Sequence, residues 1–268
     1  MRLDKYLAES YVGTRKEVRK LIIDGCITVN GEIVIDPALD ITEKVDQIEY
    51  KDEVIEYPGK HYIMFHKPAG CITAKIDETH KTIMDYLTKE DSKGLFPVGR
   101  LDKDTEGLLL LTNDGEFNHQ LMHPDQHVSK KYFFWVLGTI TDEKKHLLEK
   151  GITIDEKDNL TCKAKIEIIQ SGSYEEFEAL IPSYTYDSSN MKNNTYRQMV
   201  TSGYITITEG KKHQVKRMLK AVGCYVIYLK RFQIGGLELD SRLQPGDYRE
   251  LTEEEIENIT PFMKIDNF

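Results

Sequence analysis

The chain has 268 residues, 40% of them hydrophobic and 30% charged, which supports a buried core and argues against wholesale disorder. Its net charge of −9 excludes a uniformly basic, histone-like protein, although a local cationic face is compatible with an acidic total. At roughly 150 residues per domain, this length corresponds to one large domain or two smaller ones.

Leu3, Tyr6 and Leu7 give the apolar face of a first helix. Thr14 followed by Glu17 is a capping-box pattern, and Val18, Leu21 and Ile22 continue a second helix that Gly25 stops. Ile27-Thr28-Val29 and Ile33-Val34-Ile35 flank Asn30-Gly31, the dipeptide that favours a type I′ hairpin turn. Ile48-Glu49-Tyr50 and the stretch from Val54 to Tyr57 predict further short strands. Pro58-Gly59 then punctuates the chain. The expected organisation is a small domain at 1–57, a linker at 58–60, a larger domain at 61–250, and a C-terminal helix and tail at 251–268.

In the larger domain, Tyr62–Phe65, Leu108–Leu111, Tyr132–Leu137, Ala164–Ile169 and Tyr204–Thr208 read as strands. Thr82–Leu87, Phe117–Met122, Lys144–Lys150 and Gln214–Ala221 read as helices. The elements do not alternate in a regular strand–helix–strand cycle. The pattern therefore predicts an α+β fold with a mixed, mainly antiparallel sheet flanked by helices. Residues 183–200 are polar and Asn/Ser-rich and read as an exposed, mobile loop. Thr252 with Glu255 caps a last acidic helix, Glu253–Ile259.

No apolar run approaches the ~18 residues of a membrane helix, and no apolar leader follows Met1. Cys26, Cys71, Cys162 and Cys224 are scattered, with no Cys-x-x-Cys pair. The expectation is a cytoplasmic protein with reduced thiols, carrying neither a disulfide framework nor a cysteine zinc site. His119, His123 and His127 recur every four residues, but Pro124 interrupts the run and no glutamate completes a His-Glu-x-x-His pattern. They read as surface or core-edge histidines, and no metal is expected. No Gly-x-Ser-x-Gly and no Walker-type phosphate loop is present, and Gly235-Gly236 is too little for a nucleotide site.

Cations cluster in two places. Residues 1–20 carry Arg2, Lys5, Arg15, Lys16, Arg19 and Lys20 against Asp4, Glu9 and Glu17. Residues 211–231 carry Lys211, Lys212, Lys216, Arg217, Lys220, Lys230 and Arg231 with no acid. Either patch alone is most simply a solvated helix face. Two such patches in an acidic chain point to a polyanion whose phosphates they neutralise. Between them lies a glycine-bracketed loop, Gly99-Arg100-Leu101-Asp102-Lys103-Asp104-Thr105-Glu106-Gly107, which feeds directly into Leu108–Leu111. A polar loop entering a buried strand is a place where carboxylates lose water, and a nearby cation is needed to keep such a group ionised. By spacing alone, each residue of this loop is most simply part of a turn with local ion pairs.

The loop and its continuation to Thr112-Asn113-Asp114-Gly115 resemble the signature of the bacterial ribosomal-RNA pseudouridine synthases, in the branch that modifies the small subunit and its close large-subunit relatives. Lys130-Lys131-Tyr132 resembles the tyrosine motif of that family. The run from Glu209 to Met218, followed by Ile234-Gly235-Gly236 and by Pro245-Gly246-Asp247-Tyr248-Arg249, resembles its third motif. Residues 1–57 are similar to the small RNA-binding domain first described in the fourth protein of the small ribosomal subunit. The match covers nearly the whole chain in order; the 183–200 stretch departs from it by its length.

The resemblance implies isomerisation of uridine within RNA to pseudouridine, a reaction that needs no redox step, hydrolysis, metal or cofactor. It implies Asp102 as the catalytic carboxylate, acting by attack on the ribose, attack on the base, or removal of the C2′ proton. Lys216 is the implied cation facing Asp102, and Tyr132 would lie against the uracil and serve late proton removal from C5. Arg100 would hold the RNA open around an extruded nucleotide. Arg2, Lys5, Arg15, Arg19, Lys211, Lys212 and Arg217 would contact RNA. The implied partner is ribosomal RNA or a partly assembled small ribosomal subunit, with the enzyme a monomer. Met1-Arg2-Leu3-Asp4-Lys5, Asp155-Glu156-Lys157-Asp158 and Leu251-Thr252-Glu253-Glu254-Glu255 favour 16S RNA as the target. Three alternatives remain: a uridine of 23S RNA, a non-catalytic RNA-binding assembly factor, and a nucleoside hydrolase that uses Asp102.

Overall fold

A computed structural model describes residues 1–154, 160–182 and 198–259. The chain divides into two compact units, Met1–His61 and Tyr62–Phe268. Most of the 183–200 loop expected from composition lies outside the described residues, as does Asp155-Glu156-Lys157-Asp158. Met199 and Val200, at the end of that stretch, already belong to a strand.

In the first unit, helices α1 (Leu3–Glu9) and α2 (Arg15–Ile23) pack on a four-stranded antiparallel sheet. Its strands are β1 (Ile27–Val29), β2 (Glu32–Val34), β3 (Ile48–Tyr50) and β4 (Glu53–Val54), in the order β2-β1-β3-β4. The Thr14–Glu17 capping box forms at the start of α2. Asn30 and Gly31 both take positive φ, 53° and 81°, as a type I′ turn requires. Leu3, Leu7, Val18, Ile22, Ile27 and Ile48 make the core. Asp4 is fully buried beside them. It accepts two bonds from Arg2 and lies 3.6 and 3.8 Å from Arg15 and Arg19. Burial pushes its carboxyl pKa up, but Arg2 and Arg15 outweigh that and hold it low.

The second unit is a mixed α+β structure. Its strands are β5 (Tyr62–Lys67), β6 (Phe96–Val98), β7 (Glu106–Thr112), β8 (Lys130–Leu137), β9 (Lys165–Ser173), β10 (Met199–Ile207), β11 (Tyr225–Ile234), β12 (Leu237–Glu238) and β13 (Tyr248–Glu250). The sheet runs β13-β5-β7-β11-β8-β10-β9, with β6 paired to β7 and β12 to β11. Every pairing among these described strands is antiparallel except β7 with β11. The helices are α3 (Gly115–Met122), α4 (Asp142–Lys150), α5 (Tyr174–Phe177), α6 (Gln214–Ala221) and α7 (Glu253–Ile259).

Both faces of the central strands are covered, which explains the unbroken Leu108–Leu111 run. Leu109 and Leu111 pack on one face with Phe65, Phe134 and the α6 residues Val215, Met218 and Leu219. Leu108 and Leu110 pack on the other with Met64, Phe117 of α3 and Ile259 of α7.

Two sequence expectations are corrected. Thr82–Leu87 is not an α-helix but a single 3₁₀ turn, Ile83–Tyr86; Asp85 reaches back to cap Thr82, and the chain is extended again at Leu87. The strands expected at Tyr62–Phe65 and Leu108–Leu111 continue through polar residues, to Lys67 and back to Glu106.

Gly107 sits where β5, β7 and β11 meet, opposite Lys67 on one side and Arg231 on the other. Its φ is +109°, and a Cβ there would overlap the backbone of Arg231. At Gly99, with φ of +68°, a Cβ would meet only the flexible end of Met122. Gly107→Ala should therefore cost on the order of 3 kcal/mol of stability and Gly99→Ala about 1, because only the former must displace a neighbouring strand. Urea unfolding of the two variants checks the order.

Candidate active site

The loop between β6 and β7 is held from beneath. Lys67, fully buried at the end of β5, donates its ammonium to the carbonyls of Pro68, Lys103 and Thr105 at 3.0, 3.3 and 3.0 Å. Burial lowers its pKa. Thr73 pins Leu101 twice: its hydroxyl donates to the Leu101 carbonyl at 2.7 Å and accepts from the Leu101 N–H at 3.1 Å. The Thr105 N–H closes a turn on the Asp102 carbonyl at 3.1 Å. These bonds fix the backbone on both sides of Asp102.

Helix α6 faces the loop. It forms because Val215, Met218 and Leu219 recur at helical spacing and bury against the sheet, leaving Lys216 and Lys220 off that stripe. Gln214, buried at its first position, bonds Glu209 and accepts from the Lys211 N–H, which orders the preceding turn. His213, at the cap, is held at a φ of +52°. Its Nε2 lies 3.5 Å from Asp102 Oδ1, and Lys216 Nζ lies 3.5 Å from Asp102 Oδ2.

Lys216 thus meets Asp102, but it donates its closest bond to Asp104. Partial desolvation pushes the Asp104 pKa up, and the Lys216 bond and charge outweigh that and pull it below the usual range, although the side chain is 65% exposed. The pair expected from sequence is therefore a three-membered cluster, with one lysine shared by two carboxylates. It is also less enclosed than a fully buried pair, since the Asp102 and Lys216 side chains are 29% and 24% exposed.

The cluster opens onto a cleft of about 980 Å³. Tyr132, almost fully buried on β8, lines it, and so do Arg100, Lys211 and Lys212. Lys130 lies two residues before Tyr132, on the same face of β8. Its ammonium donates to the Val128 carbonyl, and burial together with the Arg231 charge pushes its pKa down to about 8. Arg231 and Thr105 complete the wall and are 2% exposed each.

The remaining sequence candidates are placed as follows. Arg217 is turned aside, with its guanidinium on the carbonyls of Lys212 and Ile154. Arg2, Lys5, Arg15 and Arg19 belong to the first unit, where Lys5 lies 3.8 Å from Glu9 and the three arginines surround Asp4. Arg15 and Arg19 also line a shallow cleft along α2 with Lys16 and Lys20. His119 and His123 stack edge to face at 5.2 Å. Sequence reasoning missed Lys67, Asp104, Thr105, Lys130, His213 and Arg231 as site residues. The available signals were the second acid two residues after Asp102 and the charged residues flanking strand-like runs.

Chemically, the arrangement offers a partly desolvated carboxylate beside a lysine, a buried phenol on a partly apolar wall, and a cationic rim. That combination suits a planar ring carried on a phosphate chain.

Residues 61–221 match the family described as RNA pseudouridylate synthase, and residues 1–45 match the S4 domain. The chain is 42% identical over 261 residues to an uncharacterized RNA pseudouridine synthase of Bacillus subtilis, covering 96% of this chain and 97% of that protein. It is 33% identical over 259 residues to the ribosomal small subunit pseudouridine synthase A of Escherichia coli K12, covering 97% and 100%. A crystal structure of a pseudouridylate synthase superposes with a TM-score of 0.62 at 32% identity, covering 97% of this chain and 99% of that one.

The shared lysine generates a titration prediction. A carboxyl whose folded pKa is depressed adds stability above its unfolded pKa and loses it as pH falls through the folded value. In Lys216→Met Asp104 loses that bond and charge, so its folded pKa should rise towards the unfolded value and its share of the stability lost on acidification should shrink. Carboxyl-carbon NMR titration of the two proteins reads this directly.

Proposed function

The chain belongs to the RNA pseudouridylate synthase family, and we propose that its substrate is a uridine of 16S ribosomal RNA, met as free RNA or in a partly assembled small subunit. Members of this family are isomerases acting on RNA. The observation that carries the reading is the cluster of Asp102 with Lys216 and His213 at the mouth of a cleft lined by Tyr132. Near full-length similarity to a small-subunit enzyme supports the choice of RNA.

The reaction conserves composition. The N1–C1′ bond breaks with its electron pair going to the uracil, the ring turns, and C5 bonds to C1′. The C5 proton leaves, and N1 takes one up. Asp102 is the catalytic carboxylate, with His213 and Lys216 each 3.5 Å from one of its oxygens. Tyr132 lies against the uracil, where its phenol serves the C5 proton. The target nucleotide must leave its stack to reach the cleft, at a cost of a few kcal/mol. Arg100, Lys211 and Lys212 offset that cost with phosphate contacts, and Arg217 braces the turn that carries the two lysines. In the S4 domain, Arg2, Lys5, Arg15 and Arg19 add affinity for folded RNA, which is recognised by shape and phosphates. The enzyme works as a cytoplasmic monomer on this reading.

Two outcomes are expected. Primer-extension mapping of ribosomal RNA from cells lacking the gene should show one pseudouridine missing from 16S RNA; a loss confined to 23S RNA would reassign the substrate. Asp102→Asn keeps the shape and removes the charge. It should abolish turnover, a loss of at least about 10⁴-fold, while folding and RNA affinity persist. Single-turnover assays and filter binding on the same preparation check this.

A further inference from the structure

Arg231 is a buried cation with unspent hydrogen-bonding capacity. Its Nε donates to the Leu108 carbonyl at 2.7 Å, which fixes the guanidinium plane. Its Nη2 is buried and finds no acceptor among the described residues. An unsatisfied buried N–H of a charged group is costly, and in native structures such a group calls for an explanation. The Thr105 hydroxyl, buried in the wall of the same cleft, also lacks a partner among those residues.

The position of Arg231 says what is missing. It stands directly across from Tyr132 in the antiparallel β8–β11 register, so both side chains lie on one face of the sheet. Both line the cleft that Asp102 opens onto. Phosphates of a bound RNA stay at the rim, where Arg100 and Lys212 are exposed. A flipped base goes to the floor. The polar atoms that a uracil ring brings there include two carbonyl oxygens, O2 and O4.

We propose that Arg231 is the residue that grips a uracil carbonyl oxygen and stabilises the negative charge on it while the glycosidic bond is broken. The electron pair of the N1–C1′ bond passes to N1 and spreads onto the ring oxygens. The charge is discharged when C5 bonds to C1′, loses its proton, and N1 is protonated. Arg231 itself neither gains nor loses a proton. A fixed, desolvated donor aimed at developing charge is the arrangement that most favours a transition state over a ground state. The same contact holds the ring against Tyr132. Lys130, beside Arg231 on this wall, adds a second positive field.

The inference rests on the reading of this site as a uridine isomerase, and its test separates the two. RNAs carrying uridine, 2-thiouridine or 4-thiouridine at the modified position are compared in single turnover with the full-length enzyme. Sulfur is a poor acceptor, so one thio RNA should react about 10-fold more slowly than the parent, although sulfur makes the ring the better leaving group. Arg231→Met should lower the rate on unsubstituted RNA about 100-fold, leave RNA affinity and its salt dependence unchanged, and no longer distinguish that thio RNA. Arg231→Lys keeps a cation in place should the methionine variant fold poorly, and the wild-type thio comparison needs no variant. Equal wild-type rates on all three RNAs, or a thio penalty that persists undiminished in Arg231→Met, would overturn the inference. So would weakened, salt-sensitive RNA binding in the variants, which would assign Arg231 to a phosphate. An enzyme that leaves unsubstituted RNA unmodified would instead sink the reading of the site as a whole.

Discussion

The site depends on the crowded meeting of β5, β7 and β11 at Gly107. A strand of bulky residues cannot lie between Lys67 and Arg231 at this separation; the missing side chain lets the β11 backbone close on β7. That closure sets where the Asp102 loop meets the sheet. It places the Lys67 ammonium under the Lys103 and Thr105 carbonyls and the Arg231 guanidinium on the Leu108 carbonyl. Lys67 thereby cross-links the loop to the sheet, and Arg231 ties β11 to β7; both buried cations bond backbone carbonyls. Because the bonds are to main chain, the identities of the side chains pointing outward are left free for chemistry.

The same accounting explains how an acidic protein presents a cationic working surface. Its acids are either spread over the exterior or sequestered with their own partners. Asp4 is surrounded by three arginines, and Glu106 is buried against His66, Tyr228 and Lys230. At the cleft the balance reverses, with Arg100, Lys130, Lys211, Lys212, Lys216 and Arg231 lining a wall whose acids include Asp102 and Glu209. The total charge of −9 is a statement about solubility, whereas the local excess decides what is attracted.

The features legible in the sequence were those in which local and tertiary preferences agree. Asn30-Gly31 forms its turn, Thr14 and Glu17 cap α2, and the α6 stripe buries the residues its spacing nominates. The misread strand ends share one cause. A hydrophobic pattern stops at the first polar residue, but these strands do not. β5 was expected to end at Phe65, yet His66 and Lys67 continue it, buried on the Leu243 carbonyl, Glu106 and the loop carbonyls. β11 was not among the expected strands: beyond its apolar stretch, Lys230 and Arg231 carry it onward on Glu106 and Leu108. The partners that make those polar residues tolerable are supplied by distant segments. Strand ends and site residues were lost together, because the buried polar residues are the ones that reach the site.

The β7–β11 pairing joins residues that are far apart in the chain, and the Arg231–Leu108 bond spans 123 positions. Long-range closures are slow, because loop entropy is lost before contacts compensate it. The first unit has no such closure; the bond from Tyr6 to Ile55 spans only 49 positions. During synthesis from the N-terminus, the RNA-binding unit is therefore complete before the strand carrying Arg231 has left the ribosome. The nascent chain passes through a stage in which the S4 domain can be folded while the cleft has yet to form. Order of assembly is thus written into the topology, with recognition maturing ahead of chemistry.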